Sequence, residues 1–219
     1  HEKETMWRVE TNLPVRLAVI KIQGVTVSDE RTAFAQLTAC AESYRARYGD
    51  YSVSAVPGVE YSRRLFHAIG QDPTKRRPSS EALLHRALKG KELNPINTLV
   101  DVGNWCSLDF LLPICIYDAD RVTGAVEVRL GRSGESYVGH NDQVMQMENR
   151  YVIADEQGPM GSPITDSQRT AVTPKTKNVF LCIFAPGDYE QLQLQAHSET
   201  LAQRTLLYCC GRVEQSGLL

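Results

Sequence analysis

The stretch Asn94 to Asp118 joins a predicted helix to a predicted strand across one proline, and no other segment limits the possible folds as much. Apolar residues recur at spacings of three and four before Pro113, which predicts one face of a helix. Pro113 should end this helix, and the apolar run Ile114 to Tyr117 predicts a short buried strand. The apolar positions of the helix are Ile96, Leu99, Val100, Val102, Trp105, Leu108, Leu111 and Leu112.

Three polar residues interrupt this helix. Asp101 and Asp109 fit the wet face of an amphipathic helix, although a role in a site is also open. Asn104 directly precedes Trp105 within the apolar run, so we expect it to be partly buried. A buried amide needs hydrogen-bond partners, either in the protein or in a ligand.

The rest of the chain predicts a mixed α/β (α+β) fold with a central mixed or antiparallel sheet flanked by helices. Its 219 residues, 42% hydrophobic, can bury one core. We expect residues 1–219 to form a single domain, with a strand and a helix from residues 1–56 packed on it and His1 to Thr5 frayed. Strands are predicted over Val15 to Val27, Ala125 to Leu130, Ser136 to Val138, Tyr151 to Ala154 and Asn178 to Phe184.

Capping signals predict four further helices. The inner face of the last helix should include Leu192, Leu194, Ala196, Leu201, Leu206 and Leu207. Between the strands, Gly158 to Asp166 reads as a Gly/Pro loop, where backbone can approach a ligand. The four helices are Asp29 to Tyr48 with Ser28 as N-cap, Val56 to Ile69, one that opens at Pro78-Ser79-Ser80-Glu81, and Tyr189 to Cys210.

Composition excludes several classes of protein. No apolar run approaches the roughly 20 residues of a membrane span and no signal peptide opens the sequence, so we expect a cytoplasmic protein without a membrane partner. The six cysteines lack zinc-site spacing, and we expect neither a metal nor a cofactor. A net charge of −2 argues against a protein that coats DNA. The common hydrolase and nucleotide-binding motifs are absent from the sequence. Nothing in the pattern predicts an oligomeric state.

A basic turn, Lys75-Arg76-Arg77, precedes the helix that opens at Ser79. Cations beside a helix N-terminus can bind an anion, and a solvated surface turn is the alternative. Arg86 extends this basic surface, which could hold the phosphates of an RNA end.

PINTLVDVGNW, followed by PICIYD, resembles the PIN-x-VVDVTNY and QPMHAFD motifs of the B3/B4 editing domain, which is found in the β subunit of bacterial phenylalanyl-tRNA synthetase. Upstream, RRLFHAIGQDPTKRRPSSEALLHRAL resembles the free-standing form of this domain. GPMGSP and SQRTAVTPKTKNVFLCIFAP resemble the later family blocks, so the resemblance covers residues 61–186.

The resemblance implies a trans-editing hydrolase that cleaves the ester between a wrong amino acid and the 3′ end of tRNA, its expected partner. An aminoacyl ester is already activated, so positioning and oxyanion stabilisation can suffice without a nucleophilic triad. No synthetase core motif accompanies the domain. A non-catalytic module that binds the tRNA end or an amino acid is the alternative.

By the same resemblance, Asn104 falls on the family's pocket asparagine and Gly103 on a neighbouring threonine. Cys115 replaces a histidine, which leaves it open between thiolate attack and an inert buried thiol. Gly161 and Ser162 fall on a Gly-Gly pair that approaches the substrate.

The cargo is open in the same way. The family's specificity glutamate, which marks misattached tyrosine, falls on Ser167 or Gln168, with Asp166 adjacent. Asp166 and Asp118 could pair with a cationic side chain, such as that of the arginine-like amino acid canavanine, or could serve as turn and loop caps. An aromatic or other neutral cargo is the alternative.

Overall fold

The computed structural model describes residues 7–219, so the expectation for His1 to Thr5 lies outside the described part. The fold is mixed α/β, as predicted, with ten strands and five helices in this range. The helices are α1 (Thr32–Tyr48), α2 (Val59–His67), α3 (Ser79–Leu88), α4 (Thr98–Phe110) and α5 (Gln191–Cys209). The strands are β1 (Trp7–Val9), β2 (Val15–Gln23), β3 (Ile114–Asp118), β4 (Val126–Leu130), β5 (Ser136–Val138), β6 (Val144–Gln146), β7 (Tyr151–Asp155), β8 (Gly158–Gly161), β9 (Asn178–Pro186) and β10 (Arg212–Leu218).

Two four-stranded sheets form the centre of the molecule. The first has the order β10-β2-β9-β3 and is antiparallel throughout. The second has the order β1-β4-β7-β8, in which β1 and β4 are parallel, and β5 and β6 form a separate hairpin. β9 pairs with β2 on one side and β3 on the other, which confirms the predicted central strand.

Side-chain alternation along β9 and β3 divides the core into two layers. On β9, Phe180 and Phe184 pack toward the second sheet, whereas Leu181 and Ile183 pack against α4 and α5. This is the period of two that a strand buried on both faces imposes. On the edge strand β3, Cys115 therefore faces the second sheet.

α4 is buried between the first sheet and a helical layer. Leu99, Val102 and Cys106 pack on the sheet side, and Leu108 packs with residues of α1 and α3. The prediction of a central helix that leads into a strand is confirmed, and Leu111 makes the turn with a φ of 55°.

Two details predicted for α4 are wrong. Asp101 is 1% exposed rather than on a wet face, and its Oδ1 accepts a hydrogen bond from the Ile96 N–H at 3.0 Å. Ile96 is 60% exposed, because it precedes the cap residue Asn97 and lies outside the helix. Asp109 does lie on the exposed side, where it pairs with Arg204 at 2.9 Å.

Several predicted boundaries also differ. α1 begins at Thr32, because Ser28 instead bonds to Thr98 at the start of α4: the Ser28 N–H donates to the Thr98 hydroxyl, and the Ser28 carbonyl accepts from the Thr98 N–H. α2 begins at Val59, after Gly58 with a φ of 101°. Gly158–Gly161, predicted as loop, is the strand β8, and β1, β6 and β10 were not predicted.

The inner face of α5 also differs from the prediction. Leu194 and Leu201 are buried, but Leu192 and Leu207 are 77% and 73% exposed. The buried positions include the polar Ser198 and Thr205, which an apolar count passes over. None of the helices in residues 7–219 combines the length and apolarity needed to cross a bilayer.

Candidate functional site

Residues 162–170, here called the edge segment, lie along the free edge of β3. The Ile116 N–H donates to Asp166 Oδ2 at 3.4 Å, and the Asp118 N–H donates to the Thr170 carbonyl at 2.9 Å. Arg169 ties the segment to the second sheet through paired hydrogen bonds to Asp155 of 2.9 and 3.0 Å. The segment is therefore fixed against both sheets.

Asp166 is the residue of the edge segment whose carboxylate reaches β3. The hydroxyl of Tyr117, itself fully buried, donates to Asp166 Oδ1 at 2.6 Å. Burial raises the pKa of Asp166 to about 7, although the hydrogen bonds from Tyr117 and Ile116 act in the opposite direction. Asp166 thus changes charge near neutral pH.

Gly161 is needed for this contact. A methyl group built on Gly161 would overlap the Tyr117 hydroxyl and the Asp166 carboxylate. Gly161 also forms an antiparallel bridge with Asp166. The glycine at this position therefore leaves room for the Tyr117–Asp166 hydrogen bond, which is a physical reason for the residue type.

Cys115 and Ser162 lie next to this pair but inside the protein. The Cys115 thiol is 2% exposed and donates to the Ser162 carbonyl at 3.3 Å. Burial, and then the charge of Asp166, raise the pKa of Cys115 well above its ordinary value. The thiol is therefore protonated at neutral pH, which favours the inert reading over thiolate attack.

The Ser162 hydroxyl has partners within the protein. Its Oγ lies 2.9 Å from the Tyr137 hydroxyl and accepts hydrogen bonds from the Ile164 and Thr165 N–H groups. Tyr137 in turn donates to the Thr165 carbonyl at 2.7 Å. Ser162 thus shapes the start of the edge segment, and it has no neighbouring histidine base among these contacts.

Asn104 and Gly103 lie on α4, which packs on the face of β3 that is turned away from the second sheet. A methyl group on Gly103 would overlap Ile116, so glycine allows the helix to approach the strand closely. Asn104 is partly buried, and its amide makes no hydrogen bond with the described residues. An amide of this kind is free to bind a ligand.

The other acidic and polar candidates have partners elsewhere. Asp118 is 6% exposed, caps the turn at Asp120 and accepts a hydrogen bond from Thr176 at 2.8 Å, so it has the turn-forming role. Ser167 bonds to Thr170, and Gln168 donates to Asp142 in the β5–β6 hairpin at 2.7 Å.

The basic turn lies beside the edge segment, because the Ser79 N–H at the start of α3 donates to the Pro163 carbonyl at 3.0 Å. Lys75, Arg77 and Arg86 are exposed, and Arg86 donates to the Glu92 carbonyl. Arg76 is partly buried.

Sequence reasoning missed Tyr117 and Tyr137 as members of this site. Each was read only as part of a strand, and each contacts residues of the edge segment that are 25 to 49 positions away. No local pattern signals such pairings. In residues 7–219, no group of three or more His, Cys, Asp or Glu side chains is placed to hold a metal ion.

A family model described as the B3/4 domain matches residues 61–206. The chain is similar to phenylalanine–tRNA ligase β subunits, with 34% identity over 105 residues for Bartonella henselae and 37% over 91 residues for Paramagnetospirillum magneticum. These matches cover 47% and 41% of this chain but only 13% and 11% of the relatives. Among solved structures, the chain is similar to an N-terminal fragment of the phenylalanyl-tRNA synthetase β subunit from Pyrococcus horikoshii, with 12% sequence identity and a TM-score of 0.49. The match covers 99% of this chain and 54% of that fragment.

Proposed function

We propose a function from the premise that the chain belongs to the B3/4 domain family, as the match over residues 61–206 shows. The proposed activity is hydrolysis of misacylated tRNA, in which water attacks the ester carbonyl and releases the amino acid and the tRNA 3′-terminal hydroxyl. The protein would act in trans, in the cytoplasm, on the acceptor end of the tRNA. The relatives named above are tRNA ligase subunits, which supports tRNA as the partner.

The observation that carries the proposal is the position of Asp166. Its carboxylate lies on the free edge of β3, next to Ser162 and across the strand from the face that α4 covers. Asn104 supplies an amide without a protein partner on that helix. The carboxylate gives a substrate site at this edge one group for a cation, and Asn104, on the other face of β3, is a separate candidate for the ester or its oxyanion.

This chemistry favours a cationic cargo, such as the arginine-like amino acid canavanine. An ion-paired hydrogen bond to a guanidinium contributes about 1.5–3 kcal/mol, which corresponds to roughly tenfold to hundredfold discrimination against a neutral side chain. Because the pKa of Asp166 is about 7, binding of the cation should strengthen as pH rises through neutrality and the carboxylate ionises.

Cys115 favours a second candidate function, a module that binds the tRNA end or an amino acid without hydrolysis. It replaces the histidine of the resembled motif, and its protonated thiol cannot act as a strong base. A panel of charged tRNAs separates the two functions. Ester release faster than spontaneous hydrolysis indicates the enzyme, whereas binding without release indicates the module.

The same panel tests the cargo. Asp166→Asn should slow release of canavanine from an arginine tRNA and spare a neutral aminoacyl-tRNA, with Asp50→Asn, an exposed acid beyond α1, as the matched control. Equal loss on both cargoes would make Asp166 a structural residue. Preferred hydrolysis of an aromatic or other neutral cargo by the unmodified protein would rule out the cationic site.

A further inference from the structure

Arg76, in the basic turn, has an unusual environment for an arginine. It is partly buried, and its Nη1 is enclosed without a hydrogen-bond partner among the described residues. Lys75 and Arg77, on either side, are exposed. A buried donor without a partner is costly, and in a native site it often marks a missing ion or water.

Arg150, in the turn between β6 and β7, lies near Arg76. It is partly buried, and burial and then the charge of Arg76 lower its pKa. The two loops touch, because Gln71 Nε2 donates to the Asn149 carbonyl at 3.4 Å. The loops that carry the two guanidinium groups are thus in contact, and the two positive charges repel each other.

No carboxylate offsets this repulsion, since neither Arg76 nor Arg150 forms an ion pair within residues 7–219. Elsewhere in the chain, four partly buried arginines each pair with an acid. These pairs are Arg63 with Glu81, Arg129 with Glu135, Arg169 with Asp155, and Arg204 with Asp109. Arg16 is also partly buried without an ion pair, so the distinguishing feature is the enclosed Nη1 of Arg76 beside a second unpaired arginine, which suits an anion from outside the chain.

The pair is close to the edge segment. Ser79, three residues after Arg76, donates its N–H to the carbonyl of Pro163, which adjoins Ser162. An anion bound by these arginines would therefore lie beside the edge segment.

We propose that Arg76 and Arg150 together bind one backbone phosphate of an RNA 3′ end, the phosphate that precedes the terminal nucleoside. Paired guanidinium groups suit the geometry of phosphate oxygens. This inference rests on the proposed function, because that function puts the amino acid carried by the terminal ribose at Asp166, in the edge segment. Held at this point, the phosphate would fix the register of the RNA end, so that the ester rather than a neighbouring linkage reaches the site.

The test uses a cytidine-cytidine-adenosine trinucleotide and the same trinucleotide with a neutral methylphosphonate as its last linkage. Binding by the 219-residue chain is measured by calorimetry. Arg150→Gln and Arg76→Gln should each weaken binding of the charged probe about tenfold. Arg47→Gln, which removes an exposed charge at the end of α1, should change it less than twofold.

The neutral probe shows whether both arginines act on that phosphate. It should bind the unmodified protein about tenfold more weakly than the charged probe and should bind Arg150→Gln with little further loss, since interactions with one group are not additive. An undiminished penalty for the neutral linkage in Arg150→Gln would overturn the inference. Inorganic phosphate that bound more tightly than the trinucleotide would assign the site to free phosphate and overturn the RNA assignment.

Stability measurements exclude a purely structural role. Removing one of two repelling charges should leave the melting temperature of Arg150→Gln unchanged or higher, and a lower one together with weaker binding would contradict the proposal. Arg150→Lys keeps the charge and should retain most of the binding, so it carries the test if Arg150→Gln does not fold.

Phosphate binding without ester release would refute the proposed enzyme and leave this site standing. Ester release with binding unaffected by Arg150→Gln would do the reverse.

Discussion

Asp166 should make the stability of this protein depend on pH in a way that one substitution removes. Its pKa is about 7 in the folded protein against an ordinary value of 3.8, because the carboxylate is buried beside Tyr117. The folded state therefore holds this proton more tightly than the unfolded chain does. The resulting contribution to the free energy of unfolding is fully present below about pH 4 and is lost as pH rises through 7.

The expected size follows from the two pKa values. Each unit of difference is worth about 1.4 kcal/mol. Between pH 5 and pH 8, the loss of this contribution should amount to roughly 2.5 kcal/mol, because the ionisation of Asp166 in the folded protein is nearly complete at pH 8. Asp166→Asn has no proton to lose, so it should become more stable relative to the unmodified protein by this amount as pH rises from 5 to 8.

Urea denaturation followed by circular dichroism gives the free energy of unfolding of both proteins at pH 5 and pH 8. The change with pH is then compared between Asp166→Asn and the unmodified protein, so that the contributions of the other titrating groups cancel. Asp50→Asn provides the control, because an exposed acid should give the same stability change at both values of pH. Tyr117→Phe removes the hydroxyl that stabilises the ionised carboxylate and should move the midpoint of the transition to higher pH. Parallel stability curves for Asp166→Asn and the unmodified protein would refute the assignment of a perturbed, buried carboxylate.

Asn104→Ala should slow ester release strongly with almost no change in melting temperature, since the amide has no protein partner. A large loss of stability with a proportionate loss of activity would show that Asn104 serves the core. Neutralising Lys75, Arg76 and Arg77 together should weaken binding of every tRNA alike and flatten its salt dependence, and an unchanged affinity and salt slope would identify a solvated turn. Cys115→Ala should retain activity at a cost of about 1 kcal/mol in stability, because the buried thiol is protonated; complete loss of activity in a folded variant would point to a chemical role for the thiol.

The sequence was sufficient for the central elements. The apolar spacing before Pro113 and the apolar runs after it and after Asn178 predicted α4, β3 and β9, because burial on two faces leaves few polar positions in such segments. The motifs along residues 61–186 predicted the family, whose model matches residues 61–206.

Tertiary contacts decided the rest. Ser28 has the local pattern of a helix cap, but its hydrogen bonds to Thr98 delay the start of α1 until Thr32. Asp101 has the spacing of a surface acid, but packing buries it, and its carboxylate accepts a hydrogen bond from the Ile96 N–H just before α4. For Ser28, hydrogen bonds to a residue 70 positions away outweigh a capping preference of about 1 kcal/mol.

The site shows the same division. The sequence offered three neighbouring candidates for the specificity position, Asp166, Ser167 and Gln168. It could not choose between them, because the choice depends on which side chain turns toward β3. In the fold, Tyr117 and the Ile116 N–H lie opposite Asp166, while Ser167 and Gln168 bond to Thr170 and Asp142. Hydrogen bonds between residues nearly 50 positions apart leave no periodic trace in a sequence, so only the packed structure reveals the environment that raises the pKa of this carboxyl group.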